Sequence, residues 1–401
     1  MTIIDNASIT SVKGFRAAGI SCGIKANGKK DLALVVSDKT AVAAGVYTRN
    51  TVKGHSLQLT MERMKNQEID AVIINSGCAN ACVGEKGAES AVNVSRAAAE
   101  LLGVPEENVA IGSTGVIGYA LPEEKMINGI KEAYDILSYD GGHDAELAMM
   151  TTDTVPKEAA VEVVIGGKTV TIAGMAKGSG MIHPNMGTMI SIITTDVNIS
   201  KKHLDKALRK VTEKTFNRVS VDGDTSVCDM CLVLANGNAG NAVIEHSWED
   251  YEIFVEGLHA VCEKLARMLA KDGEGATKLL EVYVKNAWSR EDAYAIACAV
   301  AKSPLCKTAF FGEDANWGRI ITAAGYSGAA FDPERVDIYI GDLKVCANGA
   351  GLPFDEDKAL EILKKDEVLV TVDLKDGVSY DRMWTCDFSY DYVKINGSYR
   401  S

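Results

Sequence analysis

A threonine that follows a glycine-rich loop and opens an apolar run is the first candidate for chemistry in this 401-residue chain. The loop reads Lys177-Gly-Ser-Gly-Met-Ile-His-Pro-Asn-Met-Gly187; Thr188 follows, then Met189-Ile-Ser-Ile-Ile-Thr-Thr-Asp196. Apolar and β-branched residues bounded by Gly and Asp predict a buried strand here, with Thr188 at the mouth of a sheet. A threonine hydroxyl is a weak nucleophile until a base takes its proton. One such base is its own α-amino group, freed when the Gly187–Thr188 bond is cut. Gly178, Gly180 and Gly187 permit close backbone approach, and Lys177 offers a cation. The pattern alone leaves a second reading open, in which Thr188 is one more strand residue.

Other segments carry weaker signals. Gly112-Ser-Thr-Gly-Val-Ile-Gly118 lacks both phosphate-loop spacings. It reads either as a tight strand-to-loop turn or as N–H groups plus the Thr114 hydroxyl facing an oxyanion. Cys228-Asp-Met-Cys231 sits in a strand-like run, where residues three apart face opposite sides. No second pair completes a ligand set, so no metal site is expected. Cys78 and Cys82 have the spacing of one helix face but also lack partners. The six histidines are dispersed, and only His183 falls inside the Thr188 loop. Gly273-Glu-Gly-Ala-Thr-Lys278 reads as a helix terminus around one acid. The end, Tyr392-Val-Lys-Ile-Asn-Gly-Ser-Tyr-Arg-Ser401, is aromatic and rich in β-forming residues, unlike a frayed tail, which predicts a docked segment.

The elements that must position these residues alternate along the chain. Strands are expected at 32–36 and 71–74, and helices at 88–102, 122–137 and 200–218. A hairpin over 158–176 turns at Gly166-Gly167. A helix runs from about Ser247 to Asp272, opened by a Ser247/Asp250 capping pair and stopped by Gly273. Another opens at Ser289 with Asp292 three residues on. Strands then dominate at 281–285, 336–340 and 368–372. The pattern predicts a larger α/β domain over 1–280 and a smaller α/β domain over 281–401, with layered α/β or α+β sheets rather than a doubly wound fold.

Composition narrows the partners. A net charge of -13 with no basic cluster argues against nucleic acid. No apolar run is long enough for a membrane span. The N-terminus lacks the features of a signal peptide. A cytoplasmic location is therefore expected, with the 10 cysteines reduced and mostly buried.

In order along the chain stand Asn75-Ser-Gly, Ser113-Thr-Gly-Val-Ile-Gly118, Thr151-Thr-Asp-Thr154, Lys177 through Met189, Asp222-Gly-Asp-Thr-Ser226, Gly273 through Lys278, Gly312-Glu-Asp-Ala-Asn-Trp-Gly-Arg319 and Asn396 to Ser401. As an ordered set spanning nearly the whole sequence, they resemble the ornithine acetyltransferase family, also called glutamate N-acetyltransferase, of arginine biosynthesis. The resemblance implies an αββα-type sandwich with a smaller C-terminal α/β domain. It implies a threonine-nucleophile enzyme that cuts itself between Gly187 and Thr188, giving an α chain of 1–187 and a β chain from 188. Two αβ units would associate as an α2β2 heterotetramer.

By the same resemblance Thr188 is the nucleophile, and Thr114 and Gly115 form the oxyanion hole. Thr151, Lys177, Thr188, Glu274, Asn396 and Ser401 contact substrate. The implied reaction moves an acetyl group from N-acetylornithine to glutamate through an acetyl-threonine. No resident cofactor is implied; acetyl-CoA is a candidate second donor. Three positions depart from the family pattern: Gly187 replaces the usual alanine, Cys78 replaces the usual asparagine, and Cys228 stands where polar residues are common. Two rival readings remain, an autoprocessing amidase or aminopeptidase that passes the acyl group to water, and a non-catalytic small-molecule binder that stays one chain.

Overall fold

The apolar runs pair into a nine-stranded sheet in the computed structural model, which describes residues 1–183 and 189–398. Its strands are β1 (Thr2–Ile3), β2 (Phe15–Ile20), β3 (Leu32–Tyr47), β4 (Glu68–Cys78), β5 (Val109–Val116), β6 (Glu158–Ile165), β7 (Lys168–Lys177), β8 (Ile190–Thr195) and β9 (Met230–Ala235). They lie in the order β1-β6-β7-β8-β9-β3-β4-β5, with β2 paired to β3. The predicted strand at 32–36 is only the first part of β3. Leu32–Val36 pairs with β2 and β4, and beyond a bulge Val42–Tyr47 pairs with β9.

That long strand lets the sheet fold over on itself, so side chains from its two ends share one interior. Phe15, Val35 and Val72 of β2–β4 pack in the same core as Met175, Ile192 and Leu232 of β7–β9. Alternate residues point outward, as the two-residue period of a strand requires, and helices cover them. The first six helices are α1 (His55–Arg63), α2 (Glu85–Leu102), α3 (Glu123–Asp135), α4 (Gly142–Met149), α5 (Lys201–Lys214) and α6 (Trp248–Lys271). Leu34, Ile73 and Ile111 meet Val94 of α2 and Met126 of α3. Val163, Ile172 and Val233 meet Leu208 of α5 and Phe254, Leu258 and Val261 of α6. The layering is helix, sheet, sheet, helix.

A second sheet follows, built from β10 (Leu279–Ala287), β11 (Asp337–Ile340), β12 (Leu343–Ala347), β13 (Ala350–Gly351), β14 (Glu367–Asp373) and β15 (Ser379–Cys386). Its order is β13-β12-β11-β14-β10-β15, and only the β10–β14 pair is parallel. Its core takes in residues of α7 (Arg290–Lys302), α8 (Pro304–Phe311), α9 (Trp317–Gly325) and α10 (Glu356–Leu363). Buried Arg218, just after α5, grips Asp381 of β15 with Nε and Nη2 at 2.8 and 2.9 Å, and so ties the two sheets together.

Expected elements and observed ones differ at instructive places. The segment 200–218 is helical only to Lys214, then tightens into a 3-10 turn at Phe216–Arg218. Cys78 ends β4 while Cys82 sits in a loop at φ +59°, so they share no helix face. The C-terminal segment is docked as a helix, α11 (Tyr390–Ser398), despite its β-forming composition. Packing overrides propensity there, because Tyr392 stacks on Phe388 at 4.6 Å and Tyr390 meets Phe311 edge-on at 5.4 Å. Among the described residues no helix is long and apolar enough to cross a membrane.

Candidate active site

The parallel strands β4 and β5 end side by side, and the next-to-last residue of each is a glycine. Gly77 faces Gly115 across the pair, at φ +106° and +126°. A Cβ on Gly115 would lie 2.5 Å from the Gly77 carbonyl carbon, so no larger residue fits without moving the strand. Beneath this turn runs a buried chain of polar groups. Ser113 Oγ donates to Asn75 Oδ1 at 2.6 Å and lies 2.7 Å from Ser56 Oγ, while Asn75 Nδ2 donates to the Cys78 carbonyl at 2.9 Å. Satisfied buried networks of this kind hold a loop in one shape. The Asn75-Ser-Gly and Ser113-Thr-Gly motifs are therefore one structure.

Lys177, the last residue of β7, points its ammonium at this turn, with Nζ 3.4 Å from Thr114 Oγ1. Behind it lies a buried ion cluster that the sequence did not announce. Lys157 is fully buried and donates to Asp153 Oδ1 at 2.8 Å and Asp272 Oδ2 at 2.6 Å. Asp153 also accepts from Thr151 N at 2.9 Å and Gly178 N at 2.6 Å. Burial alone would raise the Asp153 carboxyl, but Lys177, Lys157 and the Gly178 N–H hold it well below the usual carboxylate range. Burial likewise disfavours the Lys157 ammonium, yet the two carboxylates raise its pKa and keep it charged. Glu146 is the opposite case: burial pushes it up to about 8, though the Lys157 N–H donates to it at 2.9 Å.

Asp272 extends the same frame toward Glu274. The Asp272 carbonyl accepts from Ser179 Oγ at 2.6 Å, and Glu274 N donates to the Ser179 carbonyl at 3.0 Å. Glu274 is buried, although a lone acid at a helix terminus would ordinarily be solvated. Its carboxylate fills the space where a Cβ on Gly180 would be, 2.3 Å away, and accepts from Asn396 Nδ2 of α11 at 2.7 Å. Gly275, at φ +70°, lets α11 approach so closely that a Cβ there would lie 2.5 Å from Tyr392 N.

One pocket gathers Thr114, Gly115, Thr151, Lys177, Glu274 and Asn396. Met189, the residue after Thr188 in sequence, also lines it. Gly187, Thr188 and Ser401 lie outside the described residues. Thr152, an alternative to Thr151 in the same motif, lines the pocket too, as does Gly180; Met181 and Ser226, inside quoted motifs, and Asp229, just beyond one, were given no role from sequence. Cys228 lines the pocket, with its thiol pushed up by burial and donating to the Ala79 carbonyl at 3.4 Å, whereas Cys231 is in the core under α6. The two cysteines thus serve different environments. Among the described residues no group of three His, Cys, Asp or Glu is placed to hold a metal ion. His183 is kept neutral, since burial and Lys302 lower its pKa to about 4, and its Nδ1 lies 3.3 Å from Ser220 Oγ.

The arrangement combines a cation, a buried carboxylate and a glycine turn around a small polar cavity, which suits a zwitterionic ligand with a second charge. Residues 16–401 match the ArgJ family. The arginine biosynthesis bifunctional protein ArgJ of Caldanaerobacter subterraneus subsp. tengcongensis is 50% identical over 405 residues, covering 100% of both chains. That of Symbiobacterium thermophilum is 52% identical over 395 residues, covering 98% of each. The crystal structure of arginine biosynthesis bifunctional protein argJ from Bacillus halodurans aligns at a TM-score of 0.50 with 44% identity, over 51% of this chain and 97% of that one.

Proposed function

This chain belongs to the ArgJ family, and from that premise we propose that it transfers acetyl from N-acetylornithine to glutamate in arginine biosynthesis. Thr188, freed by self-cleavage of the Gly187–Thr188 bond, carries the acetyl group. The observation that carries this reading is the convergence of Thr114, Gly115, Thr151, Lys177, Glu274 and Asn396 on one pocket that Met189 also lines. The Bacillus halodurans chain, half the length of this one by alignment, supports a two-piece enzyme.

The chemistry follows from the groups. Thr188 Oγ attacks the acetyl carbonyl while its α-amino group takes the hydroxyl proton, a role suited to an amine of ordinary pKa near ~8. Thr114 and Gly115 stabilise the oxyanion; one such donor contributes about 2.7–4 kcal/mol to lowering the barrier. The C–N bond then breaks, and ornithine leaves with the proton on its amine. The glutamate amine attacks the acetyl ester and gives up a proton of its own, which passes through the Thr188 α-amino group to Oγ as N-acetylglutamate departs. Lys177 holds the α-carboxylate common to both substrates, and Glu274, steadied by Asn396, receives the side-chain ammonium of ornithine. Thr151 and Ser401 complete the contacts.

The relatives' description as bifunctional supports a second activity, for which acetyl-CoA is our candidate donor. Ten free cysteines support a reducing, cytoplasmic setting. Two αβ units form an α2β2 heterotetramer, which native mass spectrometry measures directly.

Thr188→Ala should leave one uncut polypeptide with no transfer. Intact mass and acetylornithine consumption with and without glutamate test this together. A cut or active Thr188→Ala protein overturns the mechanism. Consumption independent of glutamate identifies a hydrolase instead, and acetyl-CoA as sole donor reports the second activity.

A further inference from the structure

The Asp222-Gly-Asp-Thr-Ser226 motif has no part in the chemistry above, yet its first residue grips the chain just upstream of the proposed cut. Asp222 Oδ2 accepts from Met181 N at 2.6 Å, and its Oδ1 accepts from Ile182 N at 2.9 Å and Asp224 N at 3.2 Å. The neighbouring backbone joins in: Val221 N donates to the Ile182 carbonyl at 2.7 Å. Met181 is held at φ +54°, a left-handed conformation that a side-chain-bearing residue adopts only when its surroundings enforce it. Directly before it, Gly180 abuts the Glu274 carboxylate.

The two flanks of the Gly187–Thr188 bond are thus anchored differently. Downstream, Met189 is tied into the sheet, its carbonyl accepting from Met230 N at 3.0 Å, and β8 follows at once. Upstream, two consecutive N–H groups depend on one carboxylate. We infer that Asp222 is the positioning residue of self-cleavage: by fixing Met181 and Ile182 it gives the chain leading to the bond a defined start. This inference rests on the self-cleavage reading. Its physical basis is that attack within a chain accelerates when the reacting segment has few conformations to search.

Asp222→Asn tests it cleanly, because the amide keeps the shape but turns one acceptor into an N–H₂ that faces a backbone N–H. Freshly purified full-length protein is followed by intact mass over time, with thermal melting in parallel. Asp222→Asn should cut slower by about tenfold or more while melting near the wild type. Met181→Gly, which frees the same backbone without touching the carboxylate, should slow cutting as well while melting near the wild type.

Cutting of Asp222→Asn at the wild-type rate overturns the inference and leaves the self-cleavage reading standing. A wild type that stays whole overturns that reading, and the inference with it. If Asp222→Asn fails to fold, Asp222→Glu, which keeps the charge but displaces the oxygens by one methylene, carries the same test, and a wild-type rate again overturns the inference.

Discussion

Lys157 shows what a single buried charge does for a site it does not enter. Through Asp153 it sets the backbone at Thr151 and Gly178, and through Asp272 it sets the segment that ends at Glu274. Nothing in the sequence marked it, because Lys157 and Asp272 meet across 115 positions and neither belongs to a spaced motif. Lys177 and Thr114 were readable locally as a cation and an oxyanion donor, but their membership of one site with Glu274 was legible only in the ordered set of motifs. Glu146, packed behind this cluster, gives a pH signature. Its carboxyl is protonated in the fold up to about pH 8 but has an ordinary value of 4.5 when exposed. Between those values the folded state binds more protons than the unfolded one. Its stabilising contribution is therefore whole below the lower value and lost as pH rises through the upper one, at up to about 1.4 kcal/mol per pH unit. Glu146→Gln should flatten that decline in denaturant melts between the two values; equal slopes for both proteins would rule Glu146 out as the titrating group.

At the scale of elements, the readable helices were those with local punctuation. Ser247 accepts from Asp250 N at 3.2 Å and Ser289 from Asp292 N at 3.0 Å, as their spacing announces. The hairpin at Gly166-Gly167 was legible because two positive-φ residues in succession form its turn. Helices α8, α9 and α10 were not, since eight or nine residues show barely two turns of periodicity. The state of α11 was hidden for another reason: its docking depends on a glycine more than 100 positions earlier, through Ser389 Oγ donating to the Gly275 carbonyl. Gly275→Ala should push α11 off and break the Asn396–Glu274 bond. The expected result is a KM for acetylornithine raised about tenfold, equivalent to about 1.4 kcal/mol, with self-cleavage unchanged by intact mass. An unaltered KM would show that α11 has no share in binding.

Across the whole molecule, layering was legible in outline because alternating strand and helix patterns admit few arrangements. The bend of β3 was not, since Ser37-Asp-Lys-Thr40 reads as a loop rather than as the kink of one strand. That bend brings β9 against β3, so β8 and β9 lie between β7 on one side and β3 on the other. The proposed cut falls between β7 and β8 in sequence, which gives both products strands in the middle of one sheet. Neither piece can then leave without unzipping main-chain pairs on two sides. Unfolded in denaturant, the cut protein must recover by a meeting of two chains, so its refolding yield should fall on dilution. Thr188→Ala, still one chain, should refold independently of concentration, and equal dilution behaviour would count against interleaved pieces. The order of events in the cell is thereby constrained by topology. On the self-cleavage reading the chain must fold before it is cut, and unfolding of the cut enzyme leaves two separate polypeptides.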